Sequence, residues 1–425
     1  MKSTTLPAVA QLDSLLDLCV DVGKAKLNVY FELGGQAIDD EWSNTTRQIE
    51  TKLRQYQQLA AEHGLRGLRV ICEPSGGYQD KLLRTARRLG HLTAYVNGEA
   101  VAKFRVVETN DSGKTDLKDP HIIKTLARIN KTLRHRQLPE EYQLLRTCGV
   151  LYDQAERAVV SVRGGLHRAL LQIFCDYSFG KDFLYTISGR ALVDKYGANP
   201  YRIVRAGKKR FEHAMRRRAP RIRQTTLDRL WDNAETSARH EHAAEHADLL
   251  ELQVRQLWEE FLLHEQRKID LAQRLECLLL QLREIDPKVP EPTPGVISAK
   301  NLARLIGETG PLGDFTSWRM LLRYAGINIR MRQSGTYKGQ YRISKKGRPL
   351  LRKILSQIVL PLVRRKCLFG EFYHRKRVSM PGQKAMVVVM RSFLKKLHGW
   401  YRSGRAFDAE RYFIDQAEYK TRQAA

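Results

Sequence analysis

The stretch Leu16-Asp-Leu-Cys-Val-Asp-Val-Gly-Lys24 decides how the chain is read. Apolar residues alternate with others through it, a period of two, which predicts a strand ending at Asp21. Gly23 and Lys24 then turn the chain into a second strand over Leu27 to Leu33, a hairpin with an acid inside it. Working outward, a helix is predicted from Asn44 to His63, and Leu68-Arg-Val-Ile-Cys72 reads as a short buried strand whose end delivers Glu73. A helix follows Pro74-Ser-Gly-Gly77 as far as Leu89, and His91 to Val96 is another strand. The segment Gly113-Lys-Thr-Asp-Leu-Lys-Asp119 then leads into a helix through Arg128. Strands alternating with helices mean an α/β layer, and ligands in such sheets gather beyond strand ends.

Acids stand at those ends. Thr115 is a good helix N-cap, so Asp116 and Asp119 project from the first turn of one helix on neighbouring faces. Such a pair offers the oxygen ligands that Mg²⁺ or Mn²⁺ takes, although acids also favour a helix N-terminus with no ligand at all. Asp21 and Glu73 at strand ends complete a set of four, with Asp17 as a competitor of Asp21 for its place. Two-metal sites of this kind activate a nucleophile and stabilise the leaving oxygen in phosphoryl displacement.

The chain has 425 residues and is 42% apolar, enough for two or three domains with real cores. Its formal net charge of +28 implies a polyanionic partner, nucleic acid first. The charge is local: Arg202 to Arg223 holds ten Lys/Arg against Glu212 alone, and Arg330 to Arg405 holds 21 against Glu371 alone. Six scattered cysteines show no zinc spacing and read as small hydrophobes in a reducing compartment. No apolar run approaches membrane-spanning length and no signal peptide is legible, which points to the cytoplasm with no membrane partner.

Beyond the α/β part the chain reads as helical. Pro139-Glu-Glu141 starts a long helix that runs to about Phe174. In the first basic cluster, Arg216, Arg217 and Arg218 with Tyr201 and Phe211 suit phosphate contact and base stacking, with a solvated charged face as the alternative. From Leu250 to Ile285 apolar residues step by four and three, a coiled-coil pattern broken at His264 and Lys268. The seam joins either two protomers or this helix to the 140–174 helix. Pro287, Pro290, Pro292 and Pro294 end it in a stiff linker. Two short helices punctuated by Gly295 and Gly310 to Gly313 follow, with amides able to approach a phosphate backbone. Ser334-Gly335 then falls in a loop between Arg330/Arg332 and Lys338/Arg342, while Ser344, beside Lys345 and Lys346, reads as an N-cap.

Taken together, Asp21, Glu73 in Glu-Pro-Ser-Gly-Gly, and Asp116 and Asp119 in Lys-Thr-Asp-x-x-Asp resemble the DEDD transposase family of bacterial insertion sequences, to which the Piv DNA invertase also belongs. The likeness extends to Pro294-Gly-Val-Ile-Ser-Ala-Lys-Asn-Leu-Ala-Arg-Leu-Ile-Gly-Glu308, Phe315-Thr-Ser-Trp, Tyr324-Ala-Gly, Gln333-Ser-Gly335 and Ile343-Ser-Lys-Lys-Gly347. The resemblance implies an RNase H-like (RuvC-like) α/β domain over 1–135, a helical and coiled-coil middle over 136–290, a helical C-terminal transposase domain with a helix-hairpin-helix over 291–405, and a tail over 406–425. It implies a Mg²⁺-dependent site in which the four acids act with the serine nucleophile Ser334, Ser344 being the rival. It further implies DNA as partner (element ends and target), a structured guide RNA encoded by the element, and a homo-oligomer, dimer or tetramer, through the coiled coil. A structure-specific nuclease of the Holliday-junction-resolvase type, using the acids with water and no serine, is the alternative; a non-catalytic scaffold is the other.

Overall fold

The computed structural model describes residues 14–109, 118–239, 246–292, 297–331, 333–334, 337–339, 341–403 and 421. The chain divides into two compact units, 1–137 and 138–425.

The first unit is a three-layer α/β structure. Strands β1 (Leu15–Val22), β2 (Lys26–Leu33), β3 (Gln36–Ser43), β4 (Gly67–Cys72), β5 (Leu92–Tyr95) and β6 (Leu133–Arg134) form one sheet in the order β3-β2-β1-β4-β5-β6. β1 pairs antiparallel with β2 and parallel with β4, and β4 pairs parallel with β5. Helices α1 (Thr46–Glu62) and α2 (Asp80–Arg88) close one core with Leu16, Leu18, Val20, Leu68, Val70 and Cys72. Helices α3 (Gly98–Thr109) and α4 (Lys118–Arg128) close a second core with the alternate residues Cys19 and Ile71. β3 extends the expected hairpin into a meander. Its sequence, Gln-Ala-Ile-Asp-Asp-Glu-Trp-Ser, buries only Trp42, as suits a charged edge strand.

The second unit is built on two long helices, α5 (Glu140–Ile173) and α10 (Ala247–Ile285). They are antiparallel: Leu145, Cys148 and Tyr152 share a core with Leu275, Leu279 and Leu282, while Val159, Val162 and Leu166 share another with Val254, Trp258 and Phe261. The 250–285 seam therefore packs on α5 of the same chain, one of the two partners its spacing allowed. Helices α6 (Ile187–Tyr196), α7 (Pro200–Ala206), α8 (Lys208–Arg218) and α9 (Gln224–Ala238) form an inserted knob on the second of these cores. Phe211 lies fully buried there, so it cannot stack a base.

At the other end of the long helices, α11 (Ala299–Thr309), α12 (Trp318–Ala325), α13 (Pro349–Leu362), α14 (Leu368–Arg377) and α15 (Gly382–Ser403) pack around the first core. Gly307 lets α11 approach α5 closely, since a Cβ there would stand 2.8 Å from the Leu145 carbonyl carbon. Gly310 ends α11, where it is buried and its amide donates to Ile306 O (2.7 Å). Among the described residues no helix is long and apolar enough to cross a membrane.

Candidate active site

Asp21 and Glu73 each lie one residue beyond the Val20↔Cys72 pair of β1 and β4, on parallel neighbouring strands about 4.8 Å apart. Both are in phase with Cys19 and Ile71, so they project on the face covered by α3 and α4. Glu73 is held against the start of α3: a Cβ on Gly98 would overlap its Oε1 and stand 3.0 Å from its Cδ. Its carboxylate, together with burial as the larger cause, pushes the neighbouring Cys72 thiol up to about 12, so that this cysteine is an inert core residue.

Helix α4 runs antiparallel to β1. Arg128 pairs with Glu32, Lys124 stands 3.7 Å from Asp17, and His121 packs on the Tyr30 ring with centroids 3.8 Å apart. These contacts climb from the start of β1 toward its end as the helix numbering falls, so the first turn of α4, with Asp119, points to the end that carries Asp21 and Glu73. The Asp119 carboxylate is 3% exposed and is gripped by Arg105 of α3, whose Nε donates at 3.0 Å and Nη2 at 2.6 and 2.9 Å. Asp17, the competitor of Asp21, is buried farther down β1 and held by Arg69 through two 2.6 Å bonds. Asp116 lies outside the described residues. Among the described residues no three His, Cys, Asp or Glu side chains converge to hold a metal ion. The all-oxygen chemistry of Asp21 and Glu73 suits a hard divalent cation, and Gly98 keeps room beside it. Gly98 and Arg105 escaped the sequence reading because each acts on a residue that is distant along the chain.

In the second unit the expected Ser334 loop is a two-tier β-ribbon. β7 (Ile329–Arg330) pairs with β10 (Arg342–Ile343), and β8 (Gln333–Ser334) pairs with β9 (Tyr337–Lys338), with Ser334 opposite Tyr337. Ser334 thus sits on a strand. The ribbon's base is locked to the helices: Ser344 N donates to Asn328 O (2.8 Å), Lys345 N to Gly326 O (3.0 Å) and Arg348 N to Tyr324 O (3.0 Å). A Cβ on Gly347 would stand 2.5 Å from the Tyr324 carbonyl oxygen. Arg348 grips Glu308 with both guanidinium arms, and Arg146 holds Glu308 O and Tyr324 Oη at 2.8 Å. Ser344 is therefore no N-cap. Its hydroxyl donates to Asn328 Oδ1 (2.5 Å), and the N-cap position of α13 is taken by Arg348, with Pro349 the first helical residue. Arg330, Arg342, Lys345 and Lys346 are exposed around this base, while Arg332 lies outside the described residues.

An α/β unit with acids at strand ends and a helical unit carrying a cationic ribbon make up the layout of a DNA-processing enzyme, and the comparisons give its class. Residues 18–175 match the DEDD family of IS110 type, described as Transposase, and residues 293–374 match one described as Transposase IS116/IS110/IS902 family. Across 92% of its length the chain is 25% identical to the Insertion element IS110 uncharacterized 43.6 kDa protein of Streptomyces coelicolor, covering 95% of that protein. The class is DNA transposase, an enzyme that recombines DNA. The chain belongs to the IS110 family of DEDD transposases.

Proposed function

We propose that the protein cuts and rejoins the strands of an insertion sequence with two chemical parts, a metal-binding acid set and a serine. The observation that carries this reading is the placement of Asp21 and Glu73 side by side at the ends of parallel β1 and β4, with the first turn of α4 directed to the same end. The strand order β3-β2-β1-β4-β5, with β1 to β3 antiparallel, supports an RNase H-like (RuvC-like) core. Asp21, Glu73, Asp116 and Asp119 are the residues that would hold Mg²⁺ or Mn²⁺, and Asp119 would have to release the Arg105 guanidinium to do so. A divalent cation held there would supply electrostatic stabilisation of the charge that develops on the phosphoryl and leaving oxygens.

Ser334 Oγ attacks a DNA phosphorus. The new O–P bond forms as the P–O bond to one deoxyribose breaks, and the hydroxyl proton passes to the departing deoxyribose oxygen. After strand exchange a deoxyribose hydroxyl attacks the phosphoserine, the same bonds change in reverse, and serine is released. Arg330, Arg332, Lys338, Arg342, Lys345 and Lys346 hold the backbone around the ribbon. Helices α11 and α12 act as a helix-hairpin-helix, a structured guide RNA from the element directs target choice, and protomers associate by surfaces other than the α5–α10 seam.

The test is strand cleavage with Mg²⁺ by the Asp21→Asn, Glu73→Gln and Asp119→Asn proteins, alongside their DNA affinity. Cleavage should be abolished and affinity stay within about twofold, because a lost ligand changes the metal and leaves the basic surface intact. Undiminished cleavage by the Glu73→Gln protein overturns the acid set.

A further inference from the structure

The inserted knob carries a cationic face far from the ribbon. Phe211 and Met215 turn one side of α8 into the core, and the opposite side presents Lys209, Arg210, His213, Arg216 and Arg217, all exposed. Among the described residues Lys209, Arg210 and Arg217 form no ion pair, and Arg216 donates only to the neutral Gln224 Oε1 (2.5 Å). Four exposed cations, Lys209, Arg210, Arg216 and Arg217, on three turns of helix repel one another unless an anion lies along them. Among the described residues none of the exposed side chains of α8 is aromatic: Phe211 and Tyr196 are buried, Trp231 packs on the same core, and Tyr201 stands half-buried on α7. Single-strand binders stack bases on aromatic rings, so this surface suits the phosphates of a double helix.

Its position says which part of the duplex. The ribbon's base is tied to the core around Cys148, and the knob is tied to the core around Leu166 and Leu170. Along α5 these lie roughly 30 Å apart, about nine base pairs of duplex. We infer that α8 is a distal clamp, a sequence-independent site for the phosphate backbone of a nucleic-acid duplex about one helical turn away from the strand that the ribbon serves. The inference rests on DNA being the enzyme's partner and adds a second, remote contact to it.

The experiment compares the full-length wild type with the quadruple variant Lys209→Gln, Arg210→Gln, Arg216→Gln and Arg217→Gln, in which glutamine preserves helix propensity. Affinity is measured over a salt series on duplexes of about 12 and about 40 base pairs, as DNA and as RNA, and on single strands of matched length. The wild type should bind the long duplex more tightly than the short one and with a steeper salt slope. The variant should lose that difference, its slope falling by about one unit per lost phosphate contact, with short-duplex affinity and thermal melting unchanged. A length gain confined to RNA duplexes still supports the clamp and names RNA as its source. A gain retained by the variant, an equal loss on short and long duplexes, or an equal gain on single strands overturns it. Wild-type protein that binds neither DNA duplex would instead remove the DNA contact on which the inference rests.

Discussion

Replacing Gly98 with alanine separates stability from chemistry. Gly98 sits at the start of α3 with a φ outside the left-handed range, so alanine meets no backbone strain. Alanine is also the better helix former, by up to about 1 kcal/mol in a helix interior, so the melting temperature should hold or rise. The new Cβ cannot coexist with Glu73 as it lies, because it would overlap Oε1 and stand 3.0 Å from Cδ. Ordinary carbon contacts need about 3.5–4.0 Å, so the carboxylate must retreat by on the order of 1 Å. Glutamate is flexible and this movement costs the fold little. A ligand displaced by that much, however, costs about 100-fold in rate. The assay is Mg²⁺-dependent strand cleavage, with DNA affinity and a circular-dichroism melt as controls. A Gly98→Ala protein that cleaves like the wild type would refute the reasoning, since Glu73 would then need no fixed position.

The α5–α10 seam gives a test of fold. Leu275 and Leu282 are 0% and 1% exposed, so Leu275→Asp with Leu282→Asp buries two unpaired carboxylates at about 3–5 kcal/mol each and should abolish the cooperative melt of the second unit. A well-folded variant of lower mass in light scattering would mean that the seam joins protomers. In the first unit, Arg87 Nη1 donates to His135 Nδ1 (2.8 Å), and burial with the nearby Arg87 charge lowers that imidazole to about 4. The folded chain therefore binds fewer protons than the unfolded chain between about 6.5 and 4, and His135's contribution is full above that window and fades as pH falls through it. Denaturant titrations should show the wild type losing more stability across this window than His135→Gln, which keeps an acceptor for Arg87; parallel curves contradict this.

The sheet's inner strands were legible because alternation over Leu16 to Val22 and the apolar run Leu68 to Cys72 encode burial directly. β3 was not, since an edge strand that buries only Trp42 carries almost no apolar period. The heptad over 250–285 located its helix but left its partner open, because a seam facing a neighbouring helix has the same spacing within a chain as between chains. Ser344 misled for a related reason: a serine before a helix resembles a cap, yet its hydroxyl answers Asn328 across the ribbon's base. Of the acids, Asp21 and Glu73 follow from strand ends. Gly98 beside Glu73 and Arg105 on Asp119 arise from tertiary packing alone, which no local pattern records.

The most direct test of the central claim traps the wild-type protein on nicked suicide DNA with Mg²⁺ and digests it for mass spectrometry. A nucleotide adduct on the peptide containing Ser334, absent from the Ser334→Ala protein while DNA binding persists, is the predicted result. An adduct on the Ser344 peptide, or cleaved ends with no adduct as a water-using resolvase would leave, contradicts it.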